Sequence, residues 1–190
     1  WLQNDGHVVR LAPYDDQISL LENAQAVDDT ITALKEETGQ SEVILIAHSL
    51  GGWVARTYLA TGATDVAGLI TLGTPHGGVR MAYERLVTQL ASRETPNIRE
   101  LLPEHVTLIA PFAERADIPQ LHIGGNLLPK DNLFMGFPPH DGVISAASAK
   151  NHLCPGRCRA GDLLPKRIQL TVIHPILGIQ QDIALFRAVR

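Results

Sequence analysis

The stretch that decides the fold is Glu42-Val43-Ile44-Leu45-Ile46-Ala47-His48-Ser49-Leu50-Gly51-Gly52. Glu42 to Ala47 is almost wholly apolar and rich in β-branched residues, the pattern of a parallel strand covered on both faces. A small residue, Ala47, stands two places before Ser49, and another, Gly51, two places after it. A helix is expected from about Leu50 to Ala60, ending near Gly62. A sharp strand-to-helix turn tolerates only small neighbours at those spacings, and it thrusts the central side chain out at the strand's C-terminal end. A lone Ser-x-Gly is common, whereas a buried strand, small-x-Ser-x-Gly and then a helix is a specific combination.

On either side of this stretch, strand and helix alternate, which favours a parallel sheet flanked by helices. His7 to Leu11 reads as a short strand. Ser19 and Glu22 have the spacing of a capping box. The helix they open places Ala24, Val27, Ile31 and Leu34 on one stripe, with Gly39 as its stop. Ala67–Leu72, Gln120–Ile123 and Arg167–Val172 read as further strands. A last helix near Ile179 would turn Ile179, Ile183 and Phe186 toward the sheet. Between Val79 and Ile118 the strand rhythm stops. Met81, Leu86, Val87 and Leu90 suggest one helix, and Ile98, Leu101 and Leu102 a second short one. An excursion of this length reads as a cap or lid. The expectation is one domain over 1–190, with 79–118 as that insertion.

At 190 residues the chain is long enough for one core without disulfides or metals. Sixteen basic against twenty acidic residues give a net charge of −4, which argues against a nucleic-acid surface. No apolar run reaches the roughly 18 residues that span a bilayer. The sequence opens on Trp1 without an initiator Met or a visible signal peptide, as if in mid-domain, so N-terminal strands are expected to be missing. Cys154 and Cys158 fit either a tight disulfide of a secreted protein or two reduced thiols of a cytosolic one. The eight histidines are scattered and suggest no metal cluster, and no cofactor is expected.

Two further stretches extend the signal: Leu72-Gly73-Thr74-Pro75-His76-Gly77-Gly78 and His140-Asp141-Gly142-Val143-Ile144-Ser145. With the Ser49 turn, they resemble the α/β-hydrolase superfamily, in particular bacterial triacylglycerol lipases and lecithin–cholesterol acyltransferase-like or inositol-deacylase-like esterases. The likeness runs from Trp1 to about His174. It implies a mostly parallel sheet with helices on both faces, a helical cap, and a serine nucleophile followed along the chain by an acid and a histidine. It leans to a secreted or periplasmic enzyme acting on an ester or lipid substrate, with transient contact at a lipid interface.

On that resemblance Ser49 is the nucleophile and the Leu50 N–H one oxyanion donor. Asp141 is preferred over Asp131 as the acid because of its Asp-Gly-Val-Ile-Ser context. His174, directly after Leu170–Ile173 and before Pro175, is preferred over His152 as the base and is expected on a loop. His48 and His76 are expected to flank the pocket. His7, His105, His122 and His140 read as structural or exposed. The second oxyanion donor usually comes from a His-Gly loop upstream of where this sequence starts, so its source is open. Ester hydrolysis is the leading activity. Acyl transfer with the same triad and a non-catalytic binding module are the alternatives.

Overall fold

The computed structural model describes residues 2–4, 6–15, 17–78, 96–123 and 170–175. Among these described residues, five strands and four helices run in the order β1 (Val9–Tyr14), α1 (Leu20–Thr38), β2 (Val43–His48), α2 (Gly51–Ala60), β3 (Val66–Leu72), α3 (Pro96–Glu100), α4 (Pro103–Ala113), β4 (Gln120–Ile123) and β5 (Leu170–Pro175). All pairings are parallel, and the sheet order is β1-β5-β2-β3-β4. The chain therefore has the α/β class read from its alternating pattern.

The β-branched run of β2 takes an interior position because it can be covered on both faces. Val43, Leu45 and Ala47 are fully buried, and Ile44 nearly so. The register aligns Ala12, Ile173, Ala47, Thr71 and His122 in one row across the sheet. Ala12, Ala47 and Thr71 in that row are fully buried. Against this side pack α1 and α2, which also pack on each other, while α4 packs on α2. Among the described residues the helices thus make one continuous layer. The last helix, from Ile179, lies outside the described residues. The neighbouring row carries Leu11, which is 68% exposed.

Helix α1 forms as its sequence dictates. Ser19 and Glu22 close a reciprocal capping box, and Gly39 ends the helix in the left-handed conformation at φ 70°. Ala24, Val27, Ile31 and Leu34 are all buried in the core. Buried Asn23 fastens the preceding loop: its side chain accepts from the Asp15 N–H at 2.7 Å and donates to the carbonyls of Asp15 (2.8 Å) and Ser19 (3.0 Å). A carboxylate from far along the chain completes the cap, as the Leu20 N–H donates to Glu100 Oε2 at 2.6 Å. That placement is favourable at the positive end of a helix dipole.

Two of the differences from expectation have a plain physical reason. β1 runs on to Tyr14 through Pro13, which an edge strand tolerates because half its N–H groups need no ladder partner. Residues 96–113, expected to hold one short helix, fold into α3 and α4, with Pro103 at the first turn of α4 where a missing N–H costs nothing. The amphipathic helix expected around Met81 to Leu90 lies outside the described residues.

Candidate active site

Ser49 stands between the last residue of β2 and the start of α2, and it is the non-glycine residue with a positive φ, 52°, among the described residues. A side chain in this region is strained and persists only where its surroundings over-determine it. The bonds that do so are specific. The Ser49 N–H donates to the Leu72 carbonyl at 2.9 Å, tying the turn to the end of β3. The Ser49 carbonyl accepts from the Gly52 N–H at 3.1 Å and from Thr74 Oγ1 at 2.9 Å.

The helix beyond Ser49 is built for close approach. Leu50 takes the N-cap position and offers no side-chain cap to the first amides of α2. The positive end of the helix dipole therefore lies beside Ser49, where an oxyanion would develop. A Cβ built on Gly52 would collide with the Thr74 side chain. Gly52 thus lets the loop after β3 lie directly on the helix.

That loop, Gly73–Gly78, is anchored by α2 from below. Trp53 Nε1 donates to the Pro75 carbonyl at 2.8 Å. Arg56 Nη1 and His76 Nδ1 are 2.9 Å apart. His76 Nε2 lies 2.9 Å from Thr71 Oγ1, which in turn lies 2.7 Å from His122 Nδ1. The two imidazole rings are tilted against each other at 4.1 Å. Arg56 is fully buried, with its guanidinium 4.8 Å from the Trp53 ring centre and Nη2 3.8 Å from Glu114. Burial pulls its pKa down to about 10, the Glu114 charge opposing the shift.

The candidate residues fall out as follows. Ser49 and Leu50 occupy the strand-to-helix turn, and both are half-buried. His48 is exposed. His76, expected to flank the pocket, is instead buried, because Arg56 and Thr71 draw its ring into the layer between α2 and the sheet. His174 is not on a loop: β5 continues through Pro175, and His174 pairs with Pro13 of β1. The preceding residue, Ile173, pairs with Ala47 of β2, so His174 reaches the same sheet edge as Ser49 one strand away. Asp131, His140, Asp141, His152, Cys154 and Cys158 lie outside the described residues. Among the described residues no group of three His, Cys, Asp or Glu side chains is placed to hold a metal, and no helix is long and apolar enough to cross a membrane.

Arg56 and Thr74 were missed by the sequence reading. Arg56 did leave a signal, as a single charge within Gly51–Leu59, a run buried at every position.

Comparisons with known proteins bear on the fold and the family. The mature lipase BlEst2 of Bacillus licheniformis superposes with a TM-score of 0.57 at 18% identity, over 83% of this chain and 67% of that one. The propeptide form of the same lipase gives 0.58 at 19% identity, over 70% of this chain and 34% of that one. At such identities the likeness is one of fold, and the chain spans about two thirds of the mature lipase and about a third of its propeptide form. No curated protein matches the sequence. The family described as the PGAP1-like alpha/beta domain matches residues 14–110, which begin at the last residue of β1 and take in α1, the Ser49 turn, the Gly73–Gly78 loop and most of α4. The chain belongs to this PGAP1-like alpha/beta domain family, within the α/β-hydrolase superfamily.

Proposed function

We propose that the chain is a serine hydrolase that cleaves carboxylic esters of lipid-like alcohols or acids through an acyl-enzyme on Ser49. The observation that carries this reading is the strained Ser49 backbone, φ 52°, at the junction of β2 and an uncapped α2 N-terminus. Strain of this kind is kept where a side chain must be presented in one direction. Here it presents a hydroxyl beside amide donors that match a developing oxyanion.

In the proposed cycle His174 accepts the Ser49 proton as Oγ attacks the acyl carbon, and Asp141 orients the imidazole and offsets its charge. The tetrahedral oxyanion is held by the Leu50 N–H. The carbon–oxygen bond to the alcohol then breaks, and the proton on His174 passes to the departing oxygen. Water attacks the acyl-enzyme with His174 again as base, releasing the acid and restoring Ser49. The adjacency of His174 to the strand that carries Ser49 supports its part in the scheme. The insertion over 79–118, expected to form the cap, would cover the acyl chain.

The test is labelling with a fluorophosphonate probe, together with hydrolysis of p-nitrophenyl butyrate and palmitate. Ser49→Ala is expected to abolish labelling and to lower hydrolysis by about 10³-fold or more. Wild-type protein that folds but takes up no probe and cleaves neither ester overturns the proposal.

A further inference from the structure

The Ser49 turn has to be held, and one of its holds comes from outside the turn. Thr74 Oγ1 donates to the Ser49 carbonyl at 2.9 Å from the Gly73–Gly78 loop, which belongs to no helix or strand. Besides the Trp53 bond to the Pro75 carbonyl, that loop is fixed by a chain of side chains with one direction. Arginine carries donors only, so the Arg56 guanidinium must give a hydrogen to His76 Nδ1. The neutral ring then carries its own hydrogen on Nε2, which donates to Thr71 Oγ1. The Thr71 hydroxyl is thereby turned to donate to His122 Nδ1. Each bond orients the next, and the polarity of the series is set at Arg56.

Arg56 is a costly choice for this position. It is fully buried, Glu114 faces it at 3.8 Å from a half-exposed site, and Nε and Nη2 meet no hydrogen-bond partner among the described residues. An apolar side chain of similar size would fill the same space without that desolvation. The bond to His76 is what an apolar side chain could not supply.

We propose that Arg56 is a positioning residue: acting through His76, it clamps the Gly73–Gly78 loop onto α2 so that Thr74 holds the Ser49 backbone in its left-handed geometry. The inference rests on Ser49 being the nucleophile, and its test separates the two ideas. The full chain carries the variants Arg56→Met, His76→Leu and His76→Asn. In His76→Asn the Oδ1 can still accept from Arg56, whereas in His76→Leu nothing can. Three measurements are made: the rate of fluorophosphonate labelling at Ser49, exchange of the Ser49 amide hydrogen, and the ¹⁵N spectrum of the histidine rings.

Arg56→Met and His76→Leu are expected to slow labelling by about 10- to 100-fold, in the range a misplaced reacting group costs. His76→Asn recovers most of that loss. The Ser49 amide, bonded to Leu72 in the wild type, exchanges faster in His76→Leu and returns toward wild type in His76→Asn. The wild-type His76 ring shows hydrogen on Nε2 and none on Nδ1. Labelling of folded His76→Leu at the wild-type rate, or a wild-type His76 protonated on Nδ1, overturns the clamp. Should the wild type itself resist labelling, the hydrolase reading falls, while amide exchange and the ring spectrum still decide the clamp. If Arg56→Met does not fold, the His76 pair and the wild-type spectrum carry the same decision.

Discussion

At the scale of single residues, the turn around Ser49 was legible because its demands are local. A strained backbone needs small neighbours, and Ala47 and Gly51 supply them within five residues. Gly52 answers a different demand that only the tertiary structure reveals, since the atom its Cβ would strike belongs to Thr74, twenty-odd residues further on. The two adjacent glycines thus have separate reasons. Gly52→Ala forces either α2 or the Gly73–Gly78 loop to move, and overpacking of a tight site costs about 1–3 kcal/mol. Urea denaturation is expected to show that loss, together with slower probe labelling at Ser49. Unchanged stability in Gly52→Ala would mean that the loop does not lie on the helix. Arg56 and Thr74 escaped the sequence reading for a similar reason: a buried ion and a loop threonine gain their meaning from partners brought in by the sheet.

At the scale of elements, α1 shows which signals survive translation into structure. Its capping box, apolar stripe and glycine stop are all separations of three or four residues along one helix, so each could be read before any fold was known. α4 carries no comparable signal: its stretch holds Pro103 and Pro111, a residue type that disfavours a helix interior, although one sits in the first turn and the other near the end. The capping box also carries a pH signature. Glu22 accepts from both the Ser19 hydroxyl and the Ser19 N–H, and the hydroxyl contact is the main cause that holds its carboxyl below the ordinary value of 4.5. A depressed carboxyl pKa favours the folded state above the unfolded value, and the benefit is lost as pH falls through the folded value. Thermal unfolding between pH 6 and about pH 3 should therefore show wild type losing ground to Glu22→Gln, whose amide keeps an acceptor without titrating. Ser19→Ala, which removes the hydroxyl bonded to both the Glu22 amide and the Glu22 carboxylate, should cost about 1 kcal/mol near pH 6 and less as pH falls. A Glu22→Gln melting curve that falls with pH as steeply as wild type would exclude the box as the source.

At the scale of the whole molecule, the positions of the strands were legible and their order was not. Apolar runs bounded by turn residues mark where strands lie, but nothing local in Leu170–Pro175 states that it enters between β1 and β2, the first two strands of the chain. The insertion matters for the site, because it brings the C-terminal end of β5 next to the strand that leads into Ser49. It also makes a backbone prediction that needs no side chain. In a parallel ladder successive N–H groups point to opposite neighbours. An edge strand therefore has every second N–H to spare, and an interior strand has none. Thr171 lies between Arg10 and Leu45, and Val172 between Leu11 and Ile46. Proline at either position removes a donor and leaves a buried carbonyl unpaired, which costs about 1–3 kcal/mol on top of the ring's own steric demands. Both Thr171→Pro and Val172→Pro should thus be strongly destabilised in urea relative to the alanine variants at the same positions. Hydrogen exchange should speed up in β1 for one substitution and in β2 for the other. If one of the pair melted like its alanine counterpart, β5 would have a spare side, and the last strand would belong at the edge of the sheet rather than beside the nucleophile.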